Sequence, residues 1–274
     1  AAAGIVNRFP DIKAQIKERT SSVRGYRCSM RGHIDRCVKR YVDLAKCPMD
    51  KIKPVSTPTM EDSLFTDDEF TERGCLHAEC SKIVLQCLWV ARMVRPDLLW
   101  SVNDLARNVT KWTTVCDKRL HRLISYMHHT RDFVQYAYVG GELKDCALIM
   151  YCDASFADDP VNRKSTSANI MFLMGPRTCV PISWMCKKQG AVSHSSTEAE
   201  TIALDAAVRL DGLPSLQLWD EVIHVFGNGK GAHWDTNTPD QRPDSKPKPN
   251  RINQKHAAAS KNDVLESFID SIDF

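Results

Sequence analysis

The sequence lacks several features that would fix its class at once. No stretch approaches the roughly 20 consecutive apolar residues that a membrane-spanning helix needs, so no membrane span is expected. The eleven cysteines contain no C-x-x-C pair and are odd in number, which argues against a zinc site or a disulfide framework. Several sit inside apolar runs, as Cys87 does in Val84-Leu85-Gln86-Cys87-Leu88-Trp89. That is the setting of buried, reduced thiols, and the expected compartment is an intracellular reducing one, cytoplasm or nucleus. The opening Ala1-Ala2-Ala3-Gly4-Ile5-Val6-Asn7-Arg8 has neither a Met nor the apolar core of a signal peptide. It reads as the start of a cropped or processed chain. Internal repeats are absent.

What is present is ordinary in bulk and uneven in distribution. The 274 residues are 43% hydrophobic and 26% charged, as in a soluble globular protein of one large domain or two small ones. Residues 1–60 carry 13 Lys/Arg against 5 Asp/Glu, a net of +8, which leaves −5 for the rest of a chain whose total is +3. A basic N-terminal section suits a phosphate backbone; a solvated basic helix surface gives the same composition.

Periodicity divides the chain. Residues 1–60 read as helix-like and close on the turn-rich Lys53-Pro54-Val55-Ser56-Thr57-Pro58-Thr59, followed by an acidic link. A helical pattern runs from about 73 to 132, with apolar residues at Ile83, Leu85, Leu88, Val90 and Val94. Pro96 interrupts it, a second helix starts near Leu98, and a third covers about 116–127. Strand signals begin after Gly140-Gly141, over 147–152, 167–174 and 179–184. Helices are expected at 196–211 and 213–226. The Asn-, Asp-, Lys- and Pro-rich stretch from 227 to 262 cannot bury enough apolar surface to offset its ordering cost.

Two carboxylates stand out. Asp153 ends an apolar strand. Glu200 lies near the start of a helix whose Ser195-x-x-Glu198 spacing resembles a capping box. With Ala203, Leu204 and Ala207 at i+3, i+4 and i+7, Glu200 is expected to border the inward side of that helix, while Glu198 and the Asp205–Arg209 pair face solvent. Two such acids suit shared Mg²⁺ ligation for phosphodiester hydrolysis; the same spacing also fits an acid opening a turn and another supporting a helix N-terminus.

The surrounding residues carry a resemblance. Tyr151-Cys152-Asp153-Ala154-Ser155-Phe156-Ala157-Asp158-Asp159-Pro160 with Arg163-Lys164-Ser165-Thr166-Ser167, then Pro181-Ile182-Ser183-Trp184-Met185-Cys186-Lys187-Lys188-Gln189, then Ser195-Ser196-Thr197-Glu198-Ala199-Glu200 resemble, in order and interval, the ribonuclease H domain of copia-type retrotransposon polyproteins. Upstream, Val94-Arg95-Pro96-Asp97-Leu98 is similar to the family's connection region, and Lys53-Pro54-Val55-Ser56-Thr57-Pro58 to the end of its reverse transcriptase thumb. The similarity covers about residues 30–226.

The resemblance implies an α/β fold: a ribonuclease H-like mixed sheet with flanking helices and a central Asp153 strand, preceded by a mainly helical thumb and connection region. The implied sections are a thumb-like remnant at 1–60, a linker at 61–72, a connection at 73–140, the ribonuclease H-like domain at 141–226 and a polar tail at 227–274. It also implies metal-dependent hydrolysis of the RNA strand of an RNA–DNA hybrid. Asp153 and Glu200 would be Mg²⁺ (or Mn²⁺) ligands, and Arg163, Lys164, Lys187 and Lys188 phosphate contacts. The family's later acidic motifs are poorly matched: Asp235 is the candidate third ligand, with Asp263 a further replacement, and Ala258 stands where an acid belongs. No Y-x-D-D polymerase signature occurs, so copying of nucleic acid is not expected. The alternative is a decayed or recruited subunit that uses the fold to bind protein or nucleic acid, within a larger assembly, without hydrolysis.

Overall fold

The computed structural model describes residues 23–142, 145–159 and 162–226. Residues 22–223 cluster as one compact unit. The polar tail, Asp235 and Asp263 lie outside the described residues.

A helical layer comes first. After the short strand β1 (Arg24–Cys28), helix α1 (Arg31–Ala45) buries Ile34, Cys37, Val38 and Tyr41, the i, i+3, i+4, i+7 stripe of a helix with one inward face. It ends at Lys46 in the left-handed region, φ 49°. The short α2 (Asp67–Thr71) opens with a Thr66–Glu69 capping box. Helix α3 (Cys80–Met93) buries Ile83, Val84, Cys87, Val90 and Ala91; Pro96 then starts a 3-10 turn, Pro96–Leu98, that hands over to α4 (Leu99–Arg107). Helix α5 (Thr114–His129) adds Leu120, Leu123, Ile124 and Met127, all fully buried. Fully burying an aliphatic side chain of this size contributes about 1.5–3 kcal/mol.

These side chains form one hydrophobic core running from Ile34 through Ile52 and Leu76 to Met127. The section boundaries expected near residues 60 and 72 therefore fall within a shared core. Trp184 and Cys186 of the sheet pack against that core. The Trp184 indole donates to the Ala91 carbonyl at 2.8 Å, and Asn103 Nδ2 to the Cys186 carbonyl at 2.8 Å.

The sheet contains β1, β2 (Gln135–Val139), β3 (Ala147–Ser155), β4 (Thr166–Gly175) and β5 (Thr178–Lys188), in the order β1-β2-β5-β4-β3. Every pairing is antiparallel, so the mixed sheet expected from the sequence is, among the described residues, an antiparallel one. The strand expected to be central, β3, lies at an edge and, among the described residues, pairs with β4 alone. It is correspondingly half-buried rather than buried.

Helix α6 (Ser196–Ala207) crosses one face of the sheet, followed by a π-helical turn at Val208–Gly212 and by α7 (Leu213–Phe226). Its buried residues are Ala199, Ala203 and Ala207, small side chains that let the helix lie close to the strands. Gln189 pins its start, donating to Ser167 Oγ at 3.0 Å and to the Ala199 carbonyl at 2.8 Å while accepting from Ser193 Oγ at 2.9 Å.

Candidate functional site

Register and alternation place the two carboxylates. Across the sheet, Asp153 pairs with Ala168 and Ala168 with Cys186; Tyr151 pairs with Ile170 and Ile170 with Trp184. Alternate residues of a strand point to opposite faces, so Asp153 shares the face of Trp184 and Cys186, which meets the helical layer. Ala154, Cys152 and Met150 take the other face with Ser167, Asn169 and Met171. That second face carries α6: Ser167 is tied to Ala199 through Gln189, and Asn169 Nδ2 donates to Asp211 Oδ2 at 2.9 Å. Asp153 and Glu200 thus lie on opposite sides of the sheet, and both are exposed.

The expected inward position of Glu200 is corrected with them. The side of α6 that meets the sheet is Ala199, Ala203 and Ala207; Leu204 is 50% exposed and Glu200 shares its solvent side. Sequence periodicity allowed two overlapping stripes, and the smaller residues won because only they let the backbone approach the sheet. Glu198 is exposed, as expected, and closes the cap: Ser195 Oγ accepts from its N–H at 3.1 Å, and its carboxylate accepts from the His194 N–H at 2.7 Å.

Asp153 opens on a cleft of about 410 Å³ between sheet and helical layer, walled by Leu99, Trp100, Tyr151, Ile170 and Trp184. Magnesium is held by oxygen ligands in near-octahedral geometry, with one or two carboxylates. This wall offers one carboxylate among apolar rings. No group of three His, Cys, Asp or Glu side chains that could hold a metal forms among the described residues. Asp153 and Glu200 do not fit a shared divalent cation in this arrangement.

The four expected phosphate contacts divide. Arg163, at a positive φ of 57°, and Lys187 are exposed. Lys164 is committed to the Gly190 carbonyl at 2.7 Å, and Lys188 is ion-paired with Asp159.

A stronger basic feature lies elsewhere. Arg36, Lys39 and Arg40 of α1 and Lys82 of α3 line a cleft of about 470 Å³ together with Asp43, and Lys82 is ion-paired with Glu79 at 2.5 Å. Arg40 donates to the Lys82 carbonyl at 3.4 Å, and Arg36 contacts His33 Nδ1 at 2.6 Å. Burial, then the Arg36 charge, holds His33 below the usual imidazole range. The i, i+3, i+4 spacing of Arg36, Lys39 and Arg40 was visible in the sequence; the fourth cation comes from a helix some forty residues on and is joined to them only by packing.

The chain is 33% identical over 160 residues to the retrovirus-related Pol polyprotein from transposon RE1 of Arabidopsis thaliana, a match covering 57% of this chain and 10% of that polyprotein. It is 32% identical over 127 residues to the putative transposon Ty5-1 protein YCL074W of Saccharomyces cerevisiae, 46% of this chain and 39% of that protein. It is also 33% identical over 122 residues to the secreted RxLR effector protein 161 of Plasmopara viticola, 44% of this chain and 81% of that protein. No protein-family model and no solved structure matches. The chain spans about a tenth of the length of the Arabidopsis polyproteins it matches. The chain is thus a homologue of one segment of the retrovirus-related Pol polyproteins of transposons.

Proposed function

We propose that this chain is a nucleic-acid-holding piece of a retrotransposon polyprotein, with a ribonuclease H-like arrangement of β3, β4, β5 and α6 that binds an RNA–DNA hybrid without cleaving it. The observation that carries the reading is the separation of Asp153 and Glu200 across the sheet. Two acids on opposite faces cannot clamp the attacking and leaving oxygens of one phosphodiester. Binding asks less of the geometry: Arg36, Lys39 and Arg40 around one cleft, with Lys82 beside them paired to Glu79, offer a cationic surface for backbone phosphates. The order of the three motifs and the helix laid across an antiparallel β3–β4–β5 sheet support the ribonuclease H-like part of the reading.

The test is fluorescence anisotropy with a labelled RNA–DNA hybrid over a salt series, followed by gel analysis of the same mixtures in Mg²⁺ and in Mn²⁺. The chain should bind, with affinity falling steeply as salt rises, and leave the RNA strand intact. Converting Arg36, Arg40 and Lys82 to Gln should flatten the log–log salt slope by about 0.9 for each phosphate that is no longer neutralised. Cleavage that Asp153→Asn abolishes would establish the nuclease instead. A hybrid that does not bind would remove the proposal altogether.

A further inference from the structure

The ribbon formed by β1 and β2 carries a surface that neither the cleft nor the two acids use. Its register sets Arg27 opposite Tyr136 and Gly25 opposite Tyr138, so Gly25, Arg27, Tyr136 and Tyr138 share one face. The two tyrosine rings lie parallel, 11° between planes, with centroids 6.1 Å apart. That separation is close to twice the ~3.4 Å rise between neighbouring nucleotides of a strand. Both residues are open to solvent, Tyr136 at 52% and Tyr138 at 44% exposure, although aromatic side chains of this size ordinarily supply core or interface area. A Cβ at Gly25 would stand 3.6 Å from Tyr138 Cε1, so the bare glycine leaves room beside that ring.

Charge selects the occupant. All of β1 is exposed, including Arg24 and Arg27, and the segments 23–31 and 133–141 contain no Asp or Glu. Asp132, which flanks β2, is ion-paired with Arg31 at 2.7 Å. A second copy of the chain laid against this edge would bring together two segments that each carry Arg24 and Arg27 and no acid, and the approach of like charges is unfavourable. A duplex keeps its base faces inside the stack. A single strand offers both unstacked bases and phosphates, the combination that aromatic rings and a cationic edge recognise without reading sequence.

We propose that the β1–β2 face is a stacking platform for single-stranded nucleic acid. Tyr136 and Tyr138 each take a base, and Arg27 takes the phosphate that links them. The proposal rests on the nucleic-acid-holding reading above and adds a second surface with a different strand state.

The experiment uses the full chain with labelled oligo(dT), oligo(rU) and the RNA–DNA hybrid in parallel. Oligo(dT) should bind. Tyr136→Ala and Tyr138→Ala should each weaken it roughly tenfold, the scale of one base–aromatic stack, and the paired Tyr→Phe variant should restore wild-type affinity because it keeps the rings. Arg27→Gln should flatten the single-strand salt slope by about 0.7, a readout that altered folding does not produce. Hybrid affinity should not respond to the tyrosine variants. Hybrid binding without oligo(dT) binding would sink the platform and spare the cleft; oligo(dT) binding without hybrid binding would do the reverse. Oligo(dT) affinity unchanged in the double Ala variant, or self-association lost in that variant with no oligonucleotide bound, would overturn the platform.

Discussion

Replacing Asp97 by Ala would strand a deeply buried cation. Arg95 is 3% exposed at the end of α3. Its Nε and Nη2 donate to the two Asp97 carboxylate oxygens at 2.8 and 2.7 Å, and its Nη1 and Nη2 to the Thr130 carbonyl and hydroxyl at 2.9 and 2.8 Å. The guanidinium also lies 5.1 Å from the Phe133 ring centre and 5.7 Å from that of Tyr126. It therefore joins the α3–α4 corner to the C-terminus of α5, where a cation is favoured by the helix dipole. Breaking a fully buried pair from one side costs about 3–5 kcal/mol. The Asp97 side chain is 38% exposed, so solvent screening brings the expected cost of Asp97→Ala down to about 2–3 kcal/mol. Arg95→Lys should not be tolerated as a conservative change, because an ammonium cannot form the fork. Arg95→Met removes the buried charge, so Asp97→Ala added to it should cost much less than Asp97→Ala alone, a coupling of about 1–2 kcal/mol. Urea unfolding of the four members of the cycle measures this. Tyr126 gives a second readout: burial first, and the Asp97 charge next, raise its phenol, so Asp97→Ala should bring its titration partway back. Strict additivity, or a cost for Asp97→Ala below about 0.5 kcal/mol, the range of an ordinary surface substitution, would refute the clamp.

Gly74→Ala should be costly for a steric reason. An added Cβ would meet the Thr113 carbonyl at 2.5 Å and Asp117 Oδ2 at 2.8 Å, and relieving that contact would disturb the Asp117 bonds to the Cys75 and Leu76 amides at 2.5 and 3.2 Å. A loss of about 1–3 kcal/mol is expected, and an unchanged urea midpoint would contradict it. Burial, ahead of nearby positive groups, lowers the pKa of both His33 and His128. The unfolded chain then binds the proton first, so this contribution is complete above about pH 6.5 and declines as pH falls below it. The His33→Gln/His128→Gln variant should lose less stability on acidification than the parent, and an equal loss would exclude the histidines as a source.

Elements with a buried, periodic face were legible in the sequence. The three strands expected after Gly140-Gly141 are β3, β4 and β5, each extended by a few residues, and α7 has the expected limits. The helix expected over 196–211 changes at Val208 into a π-helical turn, a change of hydrogen-bond register that periodicity does not announce. Strands β1 and β2 were missed because their signal is weak: β1 is exposed at all five positions, so it has no apolar alternation, and pairing with β2 holds it in place. Residues around Arg95 and Pro96 were recognised as a motif and a helix break. The clamp itself was invisible, since its partner Thr130 lies 35 residues away.

The motifs that carried the resemblance turn out to be largely structural. Ser195 caps α6, Glu198 returns to the His194 amide, and Ala199 packs on the sheet. Around the start of β4, Ser165 Oγ accepts from the Ala157 amide, Thr166 Oγ1 donates to Asp158 at 2.6 Å, and Ser167 receives Gln189. Such bonds fix a cap, a loop and a helix start, so these residues would be needed by the fold whether or not it performs chemistry. Asp153 and Glu200 differ from them: both are exposed, and neither is held by a hydrogen bond or ion pair among the described residues. Substituting either with its amide should therefore leave stability within the small range of surface changes, about 0.5 kcal/mol. A motif match in this chain thus separates into positions the architecture requires and two acids it does not. Only the second group bears on hydrolysis, and two acids on opposite faces of a sheet cannot act on one phosphodiester together.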